Sequence, residues 1–322
     1  MRVAYAFNVQ REAEEAEAEF DTPETVDYIA GLLESLGHEV ERLDADLPLP
    51  AFAERLASSR PELVFNTAEG RTGRFREAVF PTLYEELGIP YTGSGAWACA
   101  VTLDKRLTKM FAAAAGVRTP LGWFVRKPED LEDLVPGLPL IVKPNFEGSS
   151  MGIREAAVAI DAGEARKLAV AALERFPDGV LVEEFVPGRD VSVAFLEPFG
   201  VLAGVEYEFA DNAAIYHYAL KNERPDDVGV RAPASLAPEH EEDLAAAAAA
   251  VFGACSVRDF ARADFRIADD GTPWFLEVNP LPSLVEGAGI HAAAELKGLA
   301  PEDVVGAVVD SAVRRRAAAV AS

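Results

Sequence analysis

The chain is poor in cysteine, histidine and positive charge, and each shortage excludes a class of protein. Its 322 residues include two cysteines, Cys99 and Cys255, and four histidines. Two distant cysteines without Cys-x-x-Cys or Cys/His spacing argue against a disulfide framework and against a structural zinc site. Lysine and arginine number 30 against 54 acidic residues, which gives a formal net charge of −24. Nucleic acids and anionic membranes require a basic face, so we expect neither as a partner.

Long apolar segments are missing as well. No stretch reaches the ~20 apolar residues that a membrane-spanning helix needs. The first apolar run, residues 3–7, is too short for a signal peptide and leads into a glutamate-rich stretch. We therefore expect a cytoplasmic protein, with a large core and two or three domains.

Hydrophobic patterning divides the chain into three segments. Residues 1–95 alternate strand and helix patterns, which predicts a parallel sheet covered by helices. Residues 96–185 begin with a helical stretch and contain two apolar strands. Residues 186–322 contain further strands, an alanine-rich helix and a C-terminal helix, with a loop expected at residues 222–231. The fold class that follows is α/β.

Two stretches in the last segment predict a hairpin. Residues 262–266 and 275–279 read Arg-Ala-Asp-Phe-Arg and Phe-Leu-Glu-Val-Asn, and an Asp-Gly pair at 270–271 favours a two-residue turn between them. A turn centred on that pair makes Asp264 face Glu277, because the two residues are then equally far from the turn. Side chains alternate along a strand, so every second residue lies on the same face. The same face then carries Arg262 and Asn279, and the opposite face carries Phe265, Trp274, Leu276 and Val278.

This register brings two carboxylates into direct opposition. Opposed like charges repel and would destabilise an ordinary sheet. A hard divalent cation, which prefers carboxylate and amide oxygens, turns the repulsion into a binding site. We therefore predict that Asp264, Glu277 and Asn279 bind Mg²⁺ or Mn²⁺.

A small-residue loop, Glu-Gly-Ser-Ser-Met-Gly at residues 147–152, follows an apolar strand that ends in Lys143. Its glycines let the backbone approach a ligand, and its N–H groups can cradle phosphate oxygens; a tight turn is the alternative interpretation. We place Lys143 on the strand face opposite Ile141, either beside an anion or as a surface lysine. Glu183 and Glu184 end another apolar strand, where carboxylates can bind adenine or ribose, or simply terminate the strand.

These motifs occur in the order seen in D-alanine–D-alanine ligases of the ATP-grasp superfamily, which the chain resembles over nearly its whole length. The segments that carry the resemblance are residues 89–95, 103–109, 141–152, 183–190, 262–264 and 276–280. The resemblance implies an ATP-grasp fold of three α/β domains, residues 1–95, 96–185 and 186–322, with ATP between the last two. It implies small-molecule amino-acid substrates and leaves a homodimer open.

The resemblance also implies roles for individual residues. The ATP-binding residues it implies are Lys105, Lys143, Glu147, Ser149, Ser150, Glu183, Glu184, Val186, Asp190 and Lys221. The metal ligands it implies are again Asp264, Glu277 and Asn279. Catalytic roles fall to Arg262, at the oxyanion of a tetrahedral intermediate, to Ser149, and to Lys221, which meets the phosphates from a mobile loop. Glu19 is the candidate for holding the first amino group.

The chain departs from the family pattern where amino acids are recognised. The usual His-Gly…Glu-Asp-Gly segment is replaced by Asn-Thr-Ala-Glu-Gly at residues 66–70 and Arg-Glu at 76–77. Asn222 follows Lys221 where a tyrosine is common, and Ser283 stands where a glycine is common. We therefore expect this protein to bind and use ATP as the family does, but to recognise different amino acids.

The function expected from these motifs is ATP-dependent joining of a carboxylate to an amine through an acyl phosphate. Within that class, D-alanyl-D-alanine synthesis competes with a specialised amino-acid or peptide ligase whose acceptor is not D-alanine. A non-catalytic ATP-binding protein is the third alternative. It is disfavoured because the metal ligands, the central lysines and Arg262 are all present.

Overall fold

The first part of the chain forms a three-stranded parallel sheet between helices. The computed structural model describes residues 1–12, 14–132, 139–154, 157–210 and 215–321. Strands β1 (Arg2–Phe7), β2 (Glu39–Asp44) and β3 (Leu63–Asn66) pair in the order β2-β1-β3. The helices are α1 (Pro23–Ser35), α2 (Leu49–Ser59) and α3 (Arg76–Glu86). Alternating residues of β1 pack on α1 from one face and on α2 and α3 from the other, so the predicted covered parallel sheet is confirmed.

The second part begins with two helices that meet at Asp104. Helix α4 (Ala96–Leu103) ends there and α5 (Lys105–Ala114) begins, because the Asp104 carboxylate accepts a hydrogen bond from the backbone N–H of Leu107 and caps α5. A four-stranded antiparallel sheet follows, in the order β4-β7-β5-β6. Its elements are β4 (Gly122–Val125), β5 (Leu140–Pro144), β6 (Val158–Ala159), helix α6 (Ala162–Arg175) and β7 (Val180–Glu184).

The third part is built on a five-stranded antiparallel sheet in the order β10-β9-β8-β11-β12. Its strands are β8 (Arg189–Leu196), β9 (Gly200–Phe209), β10 (Val228–Arg231), β11 (Phe260–Ile267) and β12 (Pro273–Asn279), and its helices are α7 (Tyr218–Asn222), α8 (Pro238–Ala254), α9 (Gly289–Glu295) and α10 (Pro301–Ala321). The loop expected at residues 222–231 is wrong in its second half, because residues 228–231 form β10 and pair with β9 at the sheet edge.

The hairpin of β11 and β12 has the predicted register at the proposed metal site. Asp264 pairs with Glu277 and Arg262 with Asn279. The predicted two-residue turn is wrong, since Ile267 pairs with Pro273 and the Ala268 N–H bonds to the Thr272 carbonyl. The connection is a three-residue loop, residues 269–271, with Gly271 in the left-handed region at φ 82°.

A β-bulge restores the register that the longer turn shifts. The pairing changes between Asp264 and Phe265, and Leu276 is the extra residue on β12. A bulge reverses the alternation of side chains beyond it. Consequently Phe275 packs in the core with Phe265 and Val278, whereas Leu276 lines the cavity described below. The prediction that Leu276 lies on the core face with Phe265 is therefore wrong.

One hydrophobic cluster joins the two ends of the chain. Residues of β1 and α1 pack with residues of β8, β9, α9 and α10. The charged Asp259 lies fully buried beside this region and is held by Arg315 and Ser311 of α10. Among the described residues, no helix is long and apolar enough to cross a lipid bilayer.

Candidate active site

A cavity of about 180 Å³ lies between the four-stranded and five-stranded sheets. Its walls combine apolar side chains with charged ones. Predicted site residues that line it are Lys143, Ser149, Ser150, Glu183, Glu184, Val186, Asp190, Lys221, Arg262, Asp264 and Glu277. Lys105, Glu147, Asn279 and Glu19 are not part of this lining. Both Ile141 and Lys143 line the cavity, so the prediction that they occupy opposite strand faces is wrong; residues two apart share a face.

Two buried lysines share one buried carboxylate, Glu183, which lines this cavity. The Nζ of Lys143 lies 2.5 Å from one oxygen of Glu183, and the Nζ of Lys109 lies 3.1 Å from the other. Burial raises the carboxyl pKa of Glu183, but the two lysines outweigh it and lower that pKa below its ordinary value. Burial lowers the pKa of Lys109 to about 8 despite the attraction of Glu183. Lys109 lies within residues 103–109, one of the segments that carry the family resemblance, but no role was predicted for it.

The opposed carboxylates of the hairpin are each neutralised by a cation. Asp264 receives two hydrogen bonds from the Arg262 guanidinium, both 2.8 Å, and one of 2.5 Å from the Ser192 hydroxyl. Glu277 lies 2.9 Å from the Lys105 Nζ. Burial favours the neutral carboxyl, but the cations, led by Lys105, lower the pKa of Glu277 to about 2. Glu277 therefore stays ionised at neutral pH.

Asn279 lies at the end of β12, opposite Arg262. Its side-chain oxygen accepts a 2.8 Å hydrogen bond from the Leu281 backbone N–H. That oxygen retains a second lone pair, so it remains able to bind a cation. Two carboxylates and one amide oxygen are the donor set of a hard divalent cation, and the residues therefore fit the predicted metal.

The loop of residues 147–152 has an unusual backbone. Ser149 and Ser150 both lie in the left-handed region, at φ 46° and 57°. Such conformations cost free energy outside glycine and concentrate at functional sites. The Ser150 hydroxyl donates to the Tyr216 carbonyl at 2.9 Å, and the Nζ of Lys221 lies 3.4 Å from the Ser149 hydroxyl. Burial, followed by repulsion from Arg262, lowers the pKa of Lys221 to about 8.

Arg266 holds two other lining residues of the cavity in place, and sequence reasoning missed it. Its guanidinium donates to the Asp190 carboxylate at 2.8 Å and to the Val186 carbonyl at 3.1 Å. Arg266 is buried, so these bonds fix Asp190 and the backbone of residue 186 together. An Arg-x-Asp-x-Arg pattern on a strand places both arginines on the carboxylate face, which is a signal that the sequence contained.

Glu19 lies outside the first cavity but against Gly148 in the loop of residues 147–152. A Cβ added to Gly148 would stand 2.1 Å from a Glu19 carboxylate oxygen, so a larger residue there would require the Glu19 side chain to move. The other oxygen accepts from Arg76 at 2.7 Å, and Arg76 also approaches Glu147 at 3.4 Å. These residues line a second cavity of about 280 Å³. Arg76 was not assigned a role from the sequence.

Comparisons with known proteins agree on one family. Residues 125–310 match the family described as D-ala D-ala ligase C-terminus. The chain is 34% identical to the D-alanine–D-alanine ligase of Aquifex aeolicus over 277 residues, which cover 84% of this chain and 88% of the relative. It is 31% identical to an uncharacterized protein of Sinorhizobium fredii over 301 residues, 90% of this chain and 87% of that one.

The fold has a solved counterpart. The structure superposes with a TM-score of 0.76 on the D-alanine–D-alanine ligase from Bacillus anthracis complexed with ATP, covering 98% of both chains at 20% sequence identity. The sheets described above are therefore those of an ATP-grasp protein. The chain belongs to the D-alanine–D-alanine ligase family of the ATP-grasp superfamily, whose members are ADP-forming ligases.

Proposed function

We propose that the protein joins the carboxylate of one amino acid to the amino group of another and converts ATP to ADP and phosphate. One observation carries the proposal: cations and opposed carboxylates converge on a single cavity between the two antiparallel sheets. The cations are Lys143, Lys221 and Arg262, and the carboxylates are Asp264 and Glu277. A triphosphate needs this combination, because its charge must be neutralised while the phosphoryl group is transferred.

In this proposal ATP occupies the first cavity. The adenine lies near Glu183, Glu184 and Val186, where apolar side chains such as Ile141 also line the wall. Asp190, fixed by Arg266, binds the ribose. The phosphates then lie at the loop of residues 147–152 and the surrounding lysines.

Asp264, Glu277 and Asn279 would hold Mg²⁺ or Mn²⁺. The bound ion supplies charge neutralisation for the transferring phosphoryl group. The low pKa of Glu277 supports this assignment, because a ligand to a hard cation must be ionised. Arg262 and Lys105 would exchange their carboxylate partners for phosphate or substrate oxygens when ATP binds.

The chemistry requires two displacements. A carboxylate oxygen of the donor attacks the γ-phosphorus of ATP, the bond to the β–γ bridging oxygen breaks, and ADP leaves. The amine nitrogen of the acceptor attacks the resulting acyl carbon, loses a proton and expels phosphate. Arg262 is placed to stabilise the oxyanion of the second step, and Glu19 to hold the donor ammonium group. Lys221 and Ser149 orient the transferring group, since positioning dominates phosphoryl transfer.

The acceptor in this proposal is an amine other than a second D-alanine. Asn222, which follows Lys221, donates its amide to the Tyr218 carbonyl at 3.1 Å and reaches the Ser149 carbonyl at 3.5 Å. An asparagine occupies less space than a tyrosine and offers both donors and an acceptor. Ser283 accepts a 3.3 Å hydrogen bond from the Val285 N–H and adds a hydroxyl where the family often has glycine. A larger, more polar acceptor suits these residues.

Three broader assignments belong to the same proposal. The domains are residues 1–95, 96–185 and 186–322, supported by the presence of one sheet in each range. The location is the cytoplasm, supported by Cys99 and Cys255, which are buried free thiols. Association into a homodimer is the third, and light scattering of the purified protein tests it.

A substrate screen tests the proposed function. ADP and phosphate release would be followed with MgATP and amino acids of both chiralities, offered singly and in pairs, with ATP alone as the control. We expect release that depends on a pair and a dipeptide detected by mass spectrometry. ATP binding without amino-acid-dependent ADP release would identify a non-catalytic ATP-binding protein and overturn the proposal.

A further inference from the structure

A second group of acidic side chains lies at the carboxyl edge of the parallel sheet, beside the phosphate loop. Glu69 follows β3, Glu77 lies in the first turn of α3, and Glu19 precedes α1. One oxygen from each of the three carboxylates lies within 4.8 Å of the others. The carboxyl ends of parallel strands are where open α/β sheets bind ligands.

Glu77 provides a separate sign that a partner is needed here. Its Oε2 is fully buried without a hydrogen-bond partner, and the residue is only 5% exposed. Glu69 is 9% exposed, and among the described residues no ion pair within 4 Å includes either of them. Burial raises the pKa of Glu77 to about 8 and raises the pKa of Glu69 well above its ordinary value. Buried acceptors without a donor are costly, so a cationic donor would be strongly favoured.

Arg76 does not supply that donor. Its guanidinium points to the Glu19 carboxylate at 2.7 Å, the Phe146 carbonyl at 2.8 Å and the Glu147 carboxylate at 3.4 Å. Its hydrogen bonds therefore tie Glu19 to the phosphate loop and leave Glu69 and Glu77 for another cation.

We propose that Glu69 and Glu77 recognise a second cationic nitrogen on the donor, which makes the donor a diamino acid or another basic amino acid. This inference rests on the proposed ligase function. The α-ammonium group of a donor carries one charge and can share Glu19 with Arg76, which leaves Glu69 and Glu77 as two further carboxyl groups for a second nitrogen.

The surroundings of the cluster favour an ammonium group of an organic ligand over a bare metal ion, because Glu19 belongs both to the cluster and to the wall of a neighbouring cavity. The three carboxylate oxygens lie within 4.8 Å of one another, so a single small cation can contact all of them. The adjoining cavity of about 280 Å³, lined by Glu19, Gly70, Arg76 and Glu147, has room for an amino-acid side chain.

The test compares donors and two charge-removing variants. ADP release would be measured with alanine, 2,3-diaminopropionate, ornithine and lysine as donors, each as both enantiomers, for the parental enzyme, Glu69→Gln and Glu77→Gln. The matched control is Glu86→Gln, an exposed carboxylate on the same helix. For the parental enzyme, we expect kcat/KM with one diamino or basic donor to exceed kcat/KM with alanine by roughly tenfold or more. Each of the two variants should lower this ratio of basic donor to alanine by roughly tenfold or more. The control should keep the parental ratio.

Several outcomes overturn the inference. A parental enzyme that uses alanine at least as well as every basic donor contradicts it, and so does an unchanged ratio in both variants. Loss of one bound Mn²⁺ per chain in Glu69→Gln and Glu77→Gln would identify a metal site instead. If both variants fail to fold, the affinity of the parental protein for each of the same donors is measured by calorimetry. Equal affinity for alanine and for the basic donors refutes the inference.

The same measurements separate this inference from the proposed function. Ligation that proceeds best with alanine leaves the ligase function standing and refutes the basic donor. If calorimetry shows that a basic donor binds more tightly than alanine, but no pair of amino acids causes ADP release, the recognition site is supported and the proposed ligase function is refuted.

Discussion

Asp264 and Glu277 face each other across neighbouring antiparallel strands, and each is neutralised by a different cation. Arg262 holds Asp264 through two 2.8 Å hydrogen bonds, and Lys105 lies 2.9 Å from Glu277. The two ion pairs reduce the repulsion expected between opposed carboxylates. They also place both cations where an incoming triphosphate and metal ion would compete for them.

Replacing Glu277 by glutamine tests the metal assignment. The substitution preserves volume but removes the ligand charge, so turnover should fall roughly 100-fold, the usual cost of losing one electrostatic stabiliser. The melting temperature should change much less. Steady-state rates at saturating MgATP, with the exposed Asp269→Asn as the control, measure the effect. A parental rate in Glu277→Gln would show that this carboxylate is not a required ligand.

Closure of residues 222–229 over ATP is the second prediction. The segment follows Lys221, and lids of this kind exclude water from reactive intermediates such as acyl phosphates. Trypsin cleavage after Lys221 and Arg231 should slow when ATP and both substrates are added. Cleavage after the exposed Lys297, distant in sequence, should not change and serves as the control. Equal cleavage with and without saturating ligands would argue against a closing lid.

The proposed acceptor site predicts poor synthesis of D-alanyl-D-alanine. With D-alanine as the sole amino acid, the parental enzyme should form little dipeptide, because the exposed polar side chains of Asn222 and Ser283 suit an acceptor that is larger and more polar than D-alanine. Asn222→Tyr should increase dipeptide formation, measured by mass spectrometry, and Glu86→Gln should not. A parental kcat/KM of about 10⁴ M⁻¹s⁻¹ or more for D-alanine, typical of an enzyme on its own substrate, would contradict the altered pocket.

Glu77 predicts a pH dependence of stability. Its pKa is about 8 in the folded protein against an ordinary value of 4.5, so the folded state binds this proton more tightly than the unfolded state. The stabilising contribution is complete below about pH 4.5 and is lost as pH rises toward 8. Urea denaturation between pH 5 and 8 should show a smaller decline for Glu77→Gln than for the parental protein or Glu86→Gln. Identical declines in all three would mean that Glu77 titrates normally.

Local sequence patterns determine several features of this protein without tertiary information. The threonine before α1 caps the helix through a local contact, since Thr22 accepts from the Thr25 N–H. Alternation along β11 places Asp264 beside the first cavity and its neighbour Phe265 in the core. These features follow from contacts between residues close in sequence, where periodicity and capping operate directly.

The register of the hairpin was right for a partly wrong reason. The turn contains one residue more than predicted, and the bulge at Leu276 compensates for it. Periodicity assigns a strand residue to a face only while the ladder is unbroken, and nothing in the sequence marked the break. For that reason Leu276 was assigned to the wrong face.

The partners of the buried charges depend on chain segments far apart in sequence. Arg76 reaches Glu19, Glu183 is shared by Lys109 and Lys143, and the cluster of Glu69 and Glu77 forms only where β3, α3 and the segment before α1 meet. A sequence records which residues can carry charge but not which of them desolvation will bring together. Folding decides this, because a buried charge is tolerated only where distant segments, or a ligand, supply its partner.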